Sequence, residues 1–123
     1  MDLEAFIDRY DRAWNEQDVE TILSMHAPGM VFCNHTRGGT EVSGEDDVRE
    51  LLRATFAAQP EMQFRGRRRY VGSDFVVSEW TATGTDDEGR AIEWDGIDVF
   101  PFSEGKIARK DVYSSSHIPR LLG

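Results

Sequence analysis

Leu3, Phe6, Ile7, Tyr10, Ala13 and Trp14 recur at i, i+3, i+4, i+7, i+10 and i+11, the spacing that lays side chains along one face of a helix. With Asp2 as N-cap, the pattern predicts a helix over about 3–15. Glu16-Gln17 breaks the stripe. Asp18 then caps a second, shorter helix whose Val19, Ile22, Leu23 and His26 share a face and which Ala27-Pro28-Gly29 ends. Met30 to His35 has strand composition, and Thr36-Arg37-Gly38-Gly39 reads as a loop. Ser43-Gly44-Glu45-Asp46 resembles a capping box ahead of Val48, Leu51, Leu52 and Phe56. A third helix is therefore predicted over about 44–58, stopped by Pro60.

The second half changes period. Strands are predicted at about 62–71, 74–84, 90–102 and 105–114, separated by Gly72-Ser73-Asp74, Asp86-Asp87-Glu88-Gly89 and Ser103-Glu104-Gly105. Connections this short are hairpins, so the sheet is predicted antiparallel. Helices first and strands afterwards, without βαβ alternation, predict an α+β layer with helices on one sheet face. Strands of that length would run about 34–44 Å at ~3.4 Å per residue, too far to stay flat in a small domain. They must curl, with Gly66, Gly84 and Gly96 marking bulges or bends. The expected architecture is one α+β domain over 1–123: a cone-shaped, strongly curved antiparallel sheet packed against three helices from the N-terminal half. The wide end of such a cone tends to be a pocket.

Composition fits this picture. At 123 residues and 39% apolar the chain is long and apolar enough for one core. The single cysteine, Cys33, cannot form an internal disulfide, and His26, His35 and His117 stand apart from any zinc-like spacing, so neither a metal nor another cofactor is expected. A net charge of −9 repels phosphate backbones and argues against nucleic acid as a partner, the cluster Arg65, Arg67, Arg68 and Arg69 being the local exception. Met1-Asp2-Leu3-Glu4 is acidic where a signal peptide would be basic, and no apolar run approaches the ~18 residues of a span. The expectation is a cytoplasmic protein without a membrane partner.

Three polar residues sit where the pattern asks for apolar ones. Tyr10 lies in the first helical stripe, Asn34 ends the strand begun by Met30-Val31-Phe32, and Asp98 is enclosed by Ile97, Val99 and Phe100. An aspartate in so apolar a segment must be exposed, paired, or protonated through a raised pKa. Alternation groups it with Trp94, Gly96, Phe100 and Phe102 against Asp95, Ile97, Val99 and Pro101. Both sets are partly apolar, so parity leaves the inward face open. With no cation in obvious reach, a pocket-facing Asp98 is expected to be protonated at neutral pH. The outward set would then leave an apolar patch, for which a homodimer through the outer sheet face is the expectation.

Arg9-Tyr10, Asp18-Val19-Glu20-Thr21-Ile22, Met30-Val31-Phe32-Cys33-Asn34 and Ile97-Asp98-Val99-Phe100-Pro101-Phe102, with Gly105-Lys106-Ile107, resemble the nuclear transport factor two-like superfamily. The nearest branches are its ketosteroid isomerase-like and SnoaL-like members. No single motif is specific; their order and spacing across almost the whole chain carry the resemblance. It implies a cystatin-like cone with a hydrophobic pocket for a small apolar carbonyl compound. It also implies an oxyanion hole from a first-helix tyrosine and a protonated late-strand aspartate, with a second aspartate as base. Tyr10 and Asp98 fall at the first two places, and Asn34 at the third. An amide cannot accept an α-proton at neutral pH. The cyclase branch's acid after the last strand's aromatic, here Tyr113, is replaced by Ser115. The base is therefore missing or non-standard. His35 is a candidate that alternation points to the other face, and Asp111 and Glu79 are candidates that Arg65, Arg67 and Arg69 on a neighbouring strand can pair instead.

Trp14, Phe32, Phe56, Trp80, Trp94 and Val112 are the expected pocket lining, although large aromatics fill cores more often than they stack on ligands. Tyr10 reads equally as a core tyrosine, Asn34 as a turn former, and Cys33 as a small buried hydrophobe. Three functions follow: an isomerase or cyclase using Tyr10 and Asp98, a non-catalytic small-molecule binder that has lost its base, and a dimeric protein-interaction module.

Overall fold

The computed structural model describes residues 1–123. Helix α1 (Leu3–Asn15) starts where Asp2 Oδ1 accepts the Ala5 N–H at 3.0 Å, and α2 (Val19–Ser24) where Asp18 accepts the Thr21 N–H at 3.2 Å. Between them Gln17 turns the chain at φ 54°. Strand β1 (His26–Asn34) follows at once, so His26 belongs to a strand and not to the face of the second helix. His35 leaves the predicted strand for a 3-10 turn (His35–Arg37), and a short β2 (Glu41–Ser43) precedes α3 (Glu45–Ala58). The expected capping box does not form. Gly44, at φ 89°, takes the N-cap without a side-chain bond, and Glu45, Asp46 and Asp47 supply negative charge to the first turn.

Strands β3 (Gln63–Val71), β4 (Phe75–Thr85), β5 (Ala91–Ser103) and β6 (Lys106–Ser114) form the antiparallel meander that the turn signals predict. A two-residue β7 (Arg120–Leu121) continues pairing along β5 past the end of β6. The order is β2-β1-β6-β5-β4-β3, and the sheet is mixed because β1 lies parallel to β6. Hairpin chemistry constrains only neighbours in sequence, and β1 meets β6 across the whole domain. The sheet curls without closing, with register breaks between Gly66 and Arg68, between Val99 and Phe102, and between His26 and Val31. Gly66 is therefore at a bulge as expected. Gly84 and Gly96 serve a different end: a side chain there would collide with Trp94 and Gln59, or with Trp80.

Phe6, Ile7, Tyr10 and Trp14 of α1 sink into the concave face with Ile22, Leu52 and Phe56, against Val76, Trp80, Phe100 and Ile107 of the sheet. Each large side chain so buried contributes about 1.5–3 kcal/mol. Arg69 ties the sheet edge to α1, donating to Asp8 at 2.6 Å and Asp11 at 2.8 Å. Of the β3 arginines expected to pair Asp111 or Glu79, Arg69 pairs with α1 and Arg67 with Asp95 instead. No helix is long and apolar enough to cross a membrane.

Candidate functional site

Burial along β5 alternates so that Trp94, Gly96, Asp98 and Phe100 face the helices, while Ile97, Val99 and Pro101 lie on the outer face. Asp98 therefore points inward, between Ser78 of β4 and Val112 of β6. Its partner is Lys110, whose Nζ stands 3.9 Å from Asp98 Oδ2 with both side chains nearly inaccessible. The ammonium is walled by aromatic faces, 3.7 Å from the Trp14 ring centroid, 5.0 Å from Tyr10, 5.3 Å from Phe32 and 5.6 Å from Phe100. At 3.9 Å the pair is a close charge contact rather than a hydrogen bond. Asp98 Oδ1 and the indole N–H groups of Trp14 and Trp80 are buried with no hydrogen-bond partner. The Trp80 indole lies near enough to favour the carboxylate, short of hydrogen-bond geometry.

These groups surround a pit of about 20 Å³ lined by Asp11, Trp14, Phe64, Gly66, Trp80, Asp98 and Lys110. Burial raises the Asp98 carboxyl to about 6, against the opposing pull of Lys110. The expectation that no cation stands within reach of Asp98 is corrected by Lys110, which opposes the upward push of burial on the carboxyl. Burial lowers the Lys110 ammonium from its ordinary value, with Asp98 and Asp11 opposing. Asp11 is itself raised by burial against Arg69.

Tyr10 stands behind the pit, fully buried, its hydroxyl 2.9 Å from His26 Nε2. Burial and then the Lys110 charge lower His26 to about 3, so the imidazole is neutral, and burial raises the Tyr10 phenol well above its usual value. The phenol therefore keeps its proton. Of the expected lining, Trp14 and Trp80 reach the pit. Phe32 and Phe56 pack on Trp14, with centroids 6.4 and 5.2 Å away, and Trp94 and Val112 are core without lining it. Asn34 is elsewhere: its Oδ1 accepts the Thr36 N–H at 3.2 Å, the turn-forming role. His35 lies outside, stacked on Tyr113 at 4.2 Å and bonded to Asp111 Oδ1 at 2.8 Å. Arg109 grips both Asp111 oxygens and holds that carboxyl below its ordinary value, making it a weak base.

Cys33, His35 and Asp111 bring ligand atoms within 4.8 Å of one another. Each is already engaged: Cys33 Sγ donates to Gly39 O at 3.3 Å, His35 is bonded to Asp111, and the Arg109 guanidinium donates to both Asp111 oxygens. A larger cleft of about 600 Å³ lies under α2 and α3, lined by residues that include Leu23, His26, Pro28, Met30, Val48 and Lys106. Of the titratable groups that line it, Glu20, His26, Glu45 and Lys106, only His26 is buried, and it is neutral.

Lys110 is the residue that sequence reasoning missed. Arg109-Lys110-Asp111 reads as a solvated charge run, and alternation counted from Ile107 turns Lys110 outward. Counted back from Val112 it turns inward. The extra β6 residue between the Val99–Asp111 and Phe102–Ile107 pairs reconciles the two phases, leaving Ile107, Lys110 and Val112 all buried.

Helices seated in the concavity of a curled, unclosed mixed sheet define the cystatin-like, nuclear transport factor two-like class of α+β proteins. The SnoaL-like domain family matches residues 7–110, and the chain belongs to it. Among solved structures it is similar to the epoxide hydrolase/cyclase-like enzyme SalBIII, with TM-score 0.83 and 22% identity over 97% of this chain and 95% of that one. IdmH of Streptomyces antibioticus, described as a candidate polyketide cyclase, gives 0.82 and 21% over 95% and 94%. A protein of ketosteroid isomerase-like fold from Catenulispora acidiphila, solved with trimethylamine, gives 0.78 and 15% over 87% and 82%. No curated protein matches the sequence significantly.

Proposed function

We propose that this SnoaL-type domain binds a small, flat, apolar carbonyl compound in the Trp14–Trp80 pit and moves its α-proton. Asp98 serves as base, and Lys110 holds the carbonyl oxygen as it becomes an enolate. The carrying observation is Asp98 Oδ1, buried at the pit without a partner, while the other oxygen, Oδ2, stands 3.9 Å from the ammonium. A base wants a pKa near the working pH, and burial moves Asp98 in that direction. An enolate oxygen wants fixed positive charge in a dry site, and Lys110 with the two free indole N–H groups offers it. This reassigns the roles that the resemblance implies. Asp98 supplies the base that Asn34 does not, and Tyr10, bonded to His26, supports the wall rather than the oxyanion.

A ring-sized ligand must part the indoles, since the pit at rest has room for about one water. Titration with 2-naphthol, an enolate mimic, is therefore expected to change indole fluorescence saturably, and Trp80→Leu to abolish most of the change. A wild-type protein that gives no saturable response would overturn the reading.

We further propose that the working unit is a homodimer. Ile97 and Tyr113 are paired across β5 and β6 on the outer face, both exposed, with Phe75 and Pro101 paired nearby. A second copy of the same face would cover them. Sedimentation at micromolar concentration is expected to give twice the 14.0 kDa chain mass, and Ile97→Glu to give the single chain; a wild-type monomer would refute it.

A further inference from the structure

The chain contains two lysines, Lys106 and Lys110, among its 14 basic residues. Lys106 is exposed at the start of β6, where a lysine is unremarkable. Lys110 is not. It is held at 4% exposure between four aromatic rings, reaches the pit, and faces one carboxylate. Binding an oxygen needs a donor only, which the two indole N–H groups already offer. A lysine in a dry, aromatic pocket with an acid beside it has a further capacity, because desolvation frees its nitrogen lone pair for attack on a carbonyl.

We propose that Lys110 is a nucleophile that forms an imine with the ketone or aldehyde bound in the pit, Asp98 being its proton partner. The proposal rests on the reading of the pit as a carbonyl site and makes the attachment covalent. A proton passes from the Lys110 ammonium to the Asp98 carboxylate across the 3.9 Å gap, leaving amine and acid. The nitrogen lone pair adds to the carbonyl carbon, and the former carbonyl oxygen, after taking the nitrogen's and then the carboxyl's proton, leaves as water. The product is a protonated C=N opposite an ionised carboxylate. One cation and one anion face each other before and after, so the step buries no new charge, which in this interior would be the dominant cost. The iminium then withdraws electrons from the α-carbon, and the Asp98 carboxylate takes the α-proton to give an enamine. Burial, which lowers the Lys110 ammonium, increases the amine fraction available for attack.

The test uses the intact protein, 2-tetralone as a flat ketone, and cyanoborohydride as the hydride source that reduces C=N to a stable secondary amine. Intact mass followed by peptide mapping is expected to show a single adduct per chain on Lys110, with Lys106 unmodified. Lys106→Arg should keep the full adduct, and Lys110→Arg should lose it. Arginine retains the cation but not the nucleophilic amine. Absence of an adduct, or labelling of Lys106 and the N-terminal amine alone, overturns the proposal. The 2-naphthol titration separates the two failures, because naphthol forms no imine. Saturable naphthol binding without an adduct removes the covalent step and leaves the carbonyl pocket standing, whereas loss of both removes the pocket as well.

Discussion

Lys110→Met is expected to cost about 3–5 kcal/mol of stability at pH 8 and far less at pH 5, because it leaves Asp98 buried without its cation. The sign follows from protons. Asp98 already has a folded-state pKa raised from 3.8 to about 6, so its folded form binds protons more tightly than its unfolded form. Such a group gives up stability as pH climbs from the unfolded value to the folded one. Removing Lys110 deletes an influence that lowers the carboxyl, so the folded value rises further and the loss continues to higher pH. The deficit of the variant against wild type should therefore open above about 6 and widen towards pH 8. Methionine keeps most of the lysine's volume in the aromatic cage, which limits the packing loss. Adding Asp98→Leu should recover most of the deficit at pH 8, since an apolar pair of similar volume often replaces a buried ion pair at little cost. Urea unfolding of the three proteins at both pH values reads this directly. A deficit equal at the two pH values would assign it to packing alone and dismiss the unpaired carboxylate.

What the sequence made legible was the part of the fold that short-range patterns control. The α1 stripe, the α3 stripe and the β3–β6 meander all lie within a residue or two of their expected bounds, because apolar period and turn residues act locally. The resemblance to the nuclear transport factor two-like superfamily added the helix-filled cone. Pairing between distant segments was not legible. Pro28-Gly29 reads as a stop, yet the chain passes through it as an irregular strand with Gly29 at φ 73° and only His26 paired before the register shifts at Val31. His26 could thus be given no place beside Tyr10. Asp98 was visible as an anomaly, but its direction depended on which face of β5 meets the helices, and that is a tertiary choice. Lys110 was hidden by a bulge that breaks the strand period on which inward and outward assignments rest.

The α-proton of a bound ketone is expected to exchange with deuterium in the presence of the wild-type protein, and Asp98→Asn is expected to slow that exchange by about 10²–10⁴-fold. Exchange of 2-tetralone in D2O, followed by proton NMR, asks only whether the pit removes and returns a proton. The natural substrate need not be known. Asn matches Asp in size and leaves Lys110 in place, so a loss reports the missing base rather than an opened core. The pH profile carries the assignment. The rate should rise through about 6 as the Asp98 carboxyl ionises. Where Lys110 acts as the ammonium that holds the enolate oxygen, the rate should fall again on the alkaline side, at a point below the ordinary lysine range; where it acts through the imine, loss of the ammonium proton favours attack and that fall should be absent. In Asp98→Asn the acid limb should vanish, while any alkaline limb from Lys110 should move to lower pH, because the carboxylate that holds the ammonium up has been removed. His26, at about 3, is neutral throughout that range and can produce neither limb. Asp111, held below its ordinary value by Arg109 on the opposite side of the sheet, would place a limb well under 6. An Asp98→Asn protein that keeps the wild-type rate, or a wild-type profile flat through 6, would remove the base from Asp98. The pit would then stand as a binding site only.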